Sequence, residues 1–240
     1  VPQVPGWAKL SAACSGAVRK PLDGDADLTR WTISGVLSDA KTGAKLVALQ
    51  AALPEGRHVK LPQRRDDGWP ACKLTLAGEL QAGLLALGAV NRNPKTLAAL
   101  PSYRVDGELN LGGGRQAAAV INLRRGQAVE IILKPALALR PDRRWRQLGL
   151  GVQIRSLPSA LRSAYLPPGL LPQFKRLAGD LTIKREPVAA GKDRLSASLA
   201  LNADGLKGGR WRLQEGQLAL VAAGPIDLSA GFAGKNLPVN

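Results

Sequence analysis

A short phrase recurs along this chain: glycine, any residue, then leucine, followed by residues that alternate between apolar and polar. Alternation with a period of two places the apolar side chains of an extended strand on one face and the polar side chains on the other. A chain built from such phrases is predicted to form a long sheet with one apolar face. The copies lie at 34–37, 77–80, 106–111, 178–183 and 215–220.

Turn-forming residues, many of them glycines, separate eleven segments of this alternating character. The predicted strands are 30–37, 45–52, 72–80, 103–111, 116–123, 128–139, 146–156, 178–185, 194–202, 211–222 and 226–232. Segments 94–100, 159–165 and 169–177 are predicted as short helices, whereas 84–90 fits either a strand or a helix. The predicted fold class is mainly β: a long antiparallel curved sheet, either a groove or open and barrel-like, with a few short helices.

The chain has 240 residues, enough for one large β domain or two smaller ones. Residues 1–29 hold several prolines and an acidic tract, and they are predicted to be irregular. Residues 30–232 form the β-rich section, in which two subregions are expected to meet near 140–178, and 233–240 form a tail. The sequence contains no methionine, which indicates an excised or processed piece of a longer protein.

The charge balance favours an anionic partner or surface. Lysine and arginine number 34 against 18 aspartates and glutamates, for a formal net charge of +16. Nucleic acid, lipopolysaccharide and phospholipid headgroups all carry the complementary charge, and net charge does not distinguish them. The sequence has no apolar run of the roughly 18 residues that a membrane-spanning helix needs, and it does not open with a signal segment.

Few residues offer catalytic or metal-binding chemistry, so we predict no enzyme, no metal and no cofactor. The only histidine, His58, has no carboxylate or nucleophile near it in sequence, which argues against a catalytic triad or a histidine metal cluster. An acidic tract, Asp23, Asp25 and Asp27, resembles the start of a calcium-binding loop. Leu28 and Ser34 occupy the positions where such a loop needs glycine and glutamate.

One cluster combines an indole with four arginines: Trp145 with Arg140, Arg143, Arg144 and Arg146. Stacking aromatics beside arginines are typical of single-strand nucleic-acid binders. Only 4% of the residues are aromatic, so we favour a solvated loop over nucleic-acid binding. Contact with anionic lipid headgroups is the interpretation between these two.

The two cysteines, Cys14 and Cys72, lack the spacing of a zinc site. Two alternatives remain open for them. They form a disulfide that pins the amino-terminal segment to the strand starting at Cys72, or they are two free thiols, the commoner state in a reducing compartment.

The Gly-x-Leu phrases, the scarcity of catalytic side chains and the segment Leu-Pro-Pro-Gly-Leu-Leu-Pro-Gln-Phe at 166–174, which runs into Leu-Ala-Gly-Asp-Leu at 177–181, resemble the AsmA-like bacterial envelope proteins. Within that family the YdbH branch, related to TamB, is the most similar. The resemblance implies a periplasmic protein, anchored to the inner membrane, whose groove of β-strands carries phospholipid between the inner and outer membranes. It also implies that the chain works with the remainder of its polypeptide and with other envelope proteins or a lipoprotein.

On this interpretation, apolar side chains of the strands line a lipid groove. The same face would fill an ordinary core if the sheet closed on itself. A second interpretation is a structural or partner-binding β domain of an envelope or secretion assembly that acts by strand addition. The predicted lipid-binding residues are Leu109, Leu111, Ile131, Leu133, Leu181, Ile183, Leu218 and Leu220.

Overall fold

The computed structural model describes residues 6–19, 26–61, 68–112, 115–139, 145–165, 176–188, 192–208 and 211–226. Within them the chain forms twelve strands and three short helices. The strands are β1 (Ala8–Arg19), β2 (Asp27–Asp39), β3 (Lys45–Ala52), β4 (Val59–Lys60), β5 (Cys72–Leu80), β6 (Tyr103–Gly112), β7 (Gln116–Arg125), β8 (Ala128–Leu139), β9 (Trp145–Ile154), β10 (Arg176–Val188), β11 (Lys192–Gly208) and β12 (Trp211–Ile226). The helices are α1 (Ala82–Leu87), α2 (Pro94–Ala98) and α3 (Ser159–Tyr165).

All strands belong to one antiparallel sheet that follows the order of the chain, β1-β2-β3-β5-β6-β7-β8-β9-β10-β11-β12, with β4 beside β2. The sheet is curved and unclosed, as the mainly β prediction required. Strand β9 pairs with β8 on one side and with β10 on the other. Strand β9 therefore joins the strands before residue 140 and those from residue 176 onwards in one sheet.

The register of the strands collects the apolar residues on one face. Residues directly opposite each other on paired strands share a face of the sheet. One such row crosses the sheet from β1 to β12 with no charged residue in it. It consists of Cys14, Ile33, Ala51, Leu76, Gly107, Ile121, Leu133, Val152, Leu181, Leu199 and Leu220. We call the face that holds this row the apolar face.

Two hydrophobic clusters lie on the apolar face. In the first, residues on and next to the three helices pack over Tyr103, Val105 and Leu123. We call the three helices and the residues next to them the helical cap. The Tyr165 hydroxyl of α3 donates a hydrogen bond to the carbonyl oxygen of Leu85 in α1 at 2.7 Å and so links these two helices. The second cluster lies within the sheet itself and contains Ala51, Leu74, Leu76 and Ala119.

Several sequence-based predictions of elements were right and others were wrong. Strands β3, β5 and β8 and helix α3 have the predicted bounds, and the ambiguous 84–90 segment is helical from Ala82 to Leu87. Residues 1–29 were predicted to be irregular, but β1 occupies Ala8–Arg19 and pairs along its length with β2. The turn expected at 203–205 is also wrong, since these residues lie inside β11. The helix predicted at 169–177 lies outside the described residues up to 175, and its last two residues, Arg176 and Leu177, are instead the start of β10. The strand after 226 and the tail also lie outside the described residues.

The recurring glycines have a structural role at two positions. A Cβ atom at Gly107 would collide with the carbonyl oxygen of Val120 on the neighbouring strand, and one at Gly78 would collide with that of Ala48. Both glycines allow a close backbone approach that any side chain would block. Gly35, in the same phrase on β2, has open space instead.

We predict that Gly107→Ala lowers the free energy of unfolding by about 1–3 kcal/mol, because the new methyl group forces apart β6 and β7. Gly35→Ala is the matched control, and we expect its effect to stay within about 1 kcal/mol. Urea denaturation followed by circular dichroism measures both. Equal stabilities for the two variants would contradict this role of Gly107.

Candidate functional site

The structure brings the predicted lipid-binding residues onto one face of the sheet. Leu133, Leu181 and Leu220 lie in the row that crosses the whole sheet, and Ile131 and Leu218 lie in the adjacent row. Six of the eight side chains are described, and all six are half-buried: Leu109, Leu111, Ile131, Leu133, Leu181 and Ile183. Leu218 and Leu220 are placed by the backbone pairing of β12 with β11 alone.

The helical cap covers the apolar face at one end of its strands. Beyond the cap the face is buried within the sheet around Leu74 and Ala119 and accessible on β9. Under the helical cap, Val105 is 2% exposed and Leu123 is 5% exposed. Towards the opposite end, Leu148 and Leu150 of β9 are 41% and 36% exposed. The pairing of β9 with β8 and β10 places both leucines in rows with Leu137 and Ile183, so they continue the apolar face beyond the cap.

A buried polar group lies under the helical cap, and the sequence analysis did not find it. Glu130 is 5% exposed although it belongs to the apolar strand β8. The pairing of β7 and β8 shifts between Leu123 and Arg124, and the resulting β-bulge leaves Glu130 as the extra residue. The bulge explains how a charged side chain in an alternating strand reaches the apolar face. The only signal in the sequence is the break in alternation at 129–132.

Glu130 is fully hydrogen-bonded in this position. The Tyr103 hydroxyl donates to Oε2 at 2.8 Å, and Arg125 Nε donates to Oε1 at 2.7 Å. Arg125 also forms an ion pair with the same carboxylate at 2.6 Å. Burial and the hydrogen bond to Glu130 raise the pKa of Tyr103 well above its usual value. The group therefore links strands β6, β7 and β8 beneath the cap, since a buried carboxylate without these partners would be strongly destabilising.

We predict that Tyr103→Phe lowers the free energy of unfolding near neutral pH by about 1–3 kcal/mol, because Glu130 loses a buried hydrogen bond. The wild-type chain should lose stability as the pH rises above about 10, since the unfolded state then ionises a tyrosine that the folded state keeps neutral.

The difference between wild type and Tyr103→Phe should therefore shrink at high pH. Urea denaturation of both proteins at several pH values measures it. A constant difference between wild type and Tyr103→Phe across the pH range would contradict the assignment.

The opposite face of the sheet is polar and carries its own ion pairs. Lys73 pairs with Glu108 at 2.7 Å, and Arg124 pairs with Asp106, which also accepts a hydrogen bond from Asn122. A shallow concavity of about 620 Å³ also opens mainly on this face. Small residues, among them Ala118, Ala136, Gly149 and Gly151, account for its depth, and Lys134 and Lys184 stand at its sides.

The arginines predicted to contact headgroups are only partly within the described chain. Arg140, Arg143 and Arg144 lie outside the described residues, and for Arg146 only the backbone position in β9 is described. The headgroup assignment stays a prediction. A cation that the sequence analysis did not select, Arg185, is opposite Leu148 and half-buried at the accessible end of the apolar face.

Cys14 and Cys72 are free thiols, so the disulfide alternative is wrong for this structure. Strands β2 and β3 separate β1 from β5. The three strand spacings between the two cysteines amount to about 14 Å, roughly twice the Cα separation that a disulfide tolerates. Cys14 Sγ instead accepts a hydrogen bond from Trp31 Nε1 at 3.2 Å, and burial raises the pKa of the Cys72 thiol.

His58 is exposed and lies just before β4. Within the described ranges no group of three or more histidine, cysteine, aspartate or glutamate side chains is arranged to hold a metal ion. Of the acidic tract, Asp27 begins β2, whereas Asp23 and Asp25 lie outside these ranges. No helix in the same part of the chain is long and apolar enough to cross a membrane.

No protein-family model matches this chain, and neither a curated protein nor a solved structure shows significant similarity to it.

Proposed function

We propose that this chain is a section of an AsmA-like, periplasm-spanning envelope protein that binds phospholipid acyl chains and carries them between the inner and outer membranes. The observation that supports the proposal is the continuity of the apolar face. The row from Cys14 to Leu220 crosses eleven paired strands without a charged residue, and side chains beyond the helical cap remain accessible.

The physical basis is the removal of apolar surface from water. Each buried methylene group of an acyl chain contributes about 0.8 kcal/mol, so a long tail laid against half-exposed leucines gains several kcal/mol. Ten strand spacings make the face about 48 Å wide, measured across the strands. The chain would act by shielding the tails from water, without a cofactor.

The charges fit a lipid with an anionic headgroup. The net charge of +16 attracts such lipids over the whole surface. Arg185 lies at the accessible end of the apolar face, opposite Leu148 and two residues along β10 from the partner of Leu150. In this arrangement the tails contact the leucines while the phosphate remains in water near a guanidinium group. We expect the arginines at 140–146 to serve the same purpose.

A second candidate function is partner binding by strand addition, acting as a structural domain of an envelope or secretion assembly. Strand β1 favours it, because β1 pairs with β2 on one side and no other described strand pairs with its second side. Its backbone groups on that side are available to a further strand.

We predict that Leu111→Glu weakens phospholipid binding at least tenfold, because a carboxylate would have to be buried against acyl chains. Asn110→Glu is the matched control: it adds the same charge to the neighbouring residue of β6, whose side chain is exposed on the polar face. Transfer of a fluorescent phospholipid between vesicles, together with native mass spectrometry of co-purified lipid, measures both. Equal loss in the two variants, or no loss in either, would argue against acyl-chain binding on this face.

We also predict that transfer from vesicles rich in phosphatidylglycerol is faster than from phosphatidylcholine vesicles at low ionic strength. The advantage should fall as salt is raised, since attraction between exposed charges is screened over about 10 Å at 0.1 M salt. Transfer rates that depend neither on salt nor on the vesicle charge would contradict a role of the basic surface in lipid binding.

A further inference from the structure

On one side of β1 no strand of the described residues is paired, and we call this its free side. It presents a regular row of backbone hydrogen-bonding groups. The carbonyl oxygen of Trp7 accepts a hydrogen bond from the Ala40 N–H at 2.9 Å, so Trp7 points its backbone groups towards β2. The Thr29 hydroxyl donates to the carbonyl oxygen of Ala17, which points the same way. Backbone N–H and C=O groups alternate between the two sides of a strand from one residue to the next. The backbone groups of the even-numbered residues of β1 therefore point away from β2. These residues are Ala8, Leu10, Ala12, Cys14, Gly16 and Val18.

This side of β1 lacks the usual protection of an edge strand. Proteins commonly place charges or proline on such edges to prevent further pairing. The stretch 10–18 contains neither, although the whole chain has a net charge of +16. Lys9 and Arg19 flank it on either side. The stretch is therefore a long uncharged surface on which two copies of a strongly cationic molecule could approach each other.

The uncharged stretch is symmetric about Cys14. Leu10 and Val18 lie four residues to either side of it, and they are 56% and 55% exposed. The pairing of β1 with β2 has one register shift near Val18, and the unpaired extra residue is Thr29 of β2. The alternation of side chains along β1 is therefore unbroken, and both side chains share the apolar face with Cys14. An antiparallel pair centred on Cys14 would cover each exposed leucine with a valine of the other copy.

We propose that β1 pairs with β1 of a second copy of this chain, antiparallel and centred on Cys14, to form a symmetric dimer with a continuous sheet. In this register each even-numbered residue lies opposite an even-numbered residue of the other copy, and the two exchange backbone hydrogen bonds. This fits the observation that the backbone groups of these residues point away from β2. The apolar faces of the two copies then lie on the same side of the joined sheet. The proposal does not depend on lipid binding, and it concerns this 240-residue chain without the remainder of a longer polypeptide.

The charges at the ends of the pair set its response to salt. In this register Lys9 of one copy lies opposite Arg19 of the other, and opposed like charges destabilise a strand pair. The dimer should therefore become tighter as salt is raised, in contrast to an association held by ion pairs. This sign separates backbone pairing from attraction between charged surfaces.

The central test uses Ala12→Pro. The Ala12 N–H points to the free side, so proline removes a donor from each copy at the interface and leaves the pairing with β2 intact. Analytical ultracentrifugation over a range of protein and salt concentrations should give a dimer for the wild type. Ala12→Pro should weaken it about 10- to 100-fold, as two lost hydrogen bonds predict. Ala12→Ser keeps the N–H and should dimerise as the wild type does.

Oxidative cross-linking tests the register and remains informative if Ala12→Pro fails to fold. Opposed residues of a hydrogen-bonded antiparallel pair lie about 5.5 Å apart at Cα, within the range for a disulfide. The wild type should therefore form a covalent dimer through Cys14, and Cys14→Ser, which retains Cys72, should not. In a Cys14→Ser background, Ala13→Cys should cross-link more weakly than the wild type.

A wild-type chain that stays monomeric at all concentrations and at high salt would overturn the proposal. So would a folded Ala12→Pro variant with unchanged dimerisation. Stronger cross-linking through residue 13 than through Cys14 would overturn the register centred on Cys14.

Discussion

The register between neighbouring strands is the constraint on which the rest of this structure depends. Because side chains alternate with a period of two, a slip of one residue at any strand pair would move a whole set of leucines to the polar face. Ten successive pairings from β1 to β12 keep the apolar row on one face, although four of them contain a register shift. The glycines at 78 and 107 contribute by letting neighbouring backbones approach where a side chain would hold them apart. The continuous apolar face is the product of these local choices.

The helical cap gives that face two unlike ends. Around Tyr103 and Leu123 the helices pack against the sheet and exclude water from a buried core. Leu148 and Leu150 of β9 remain accessible to solvent. A bulge in β8 directs the Glu130 side chain towards this core. There the carboxylate accepts a hydrogen bond from Tyr103 and forms an ion pair with Arg125. This polar group favours one alignment of β6, β7 and β8, because a slip of these strands would leave a buried charge without partners. The end that stays open is the one we propose for lipid.

The prediction errors have physical causes that can be assigned to particular residues. Strand β1 was not predicted because alanine, serine, cysteine and glycine make up most of it, so its two faces differ little in polarity. Its extended conformation is stabilised by pairing with β2. The turn expected at 203–205 carries Asp and Gly, but cross-strand pairing on both sides keeps those residues extended. A disulfide between Cys14 and Cys72 depended on how many strands lie between them, and local sequence does not contain that number.

The sequence by itself determined the mainly β class, most of the strands and the identity of the apolar face, since these follow from the period-two alternation along each segment. It also indicated the cationic character of the surface. Only the tertiary structure decided which strands are neighbours, that the sheet stays open, that three helices cover one end of the face and that a bulge brings Glu130 beneath them. These features arise from contacts between residues distant in sequence, and their free energies depend on burial and pairing that no local pattern encodes.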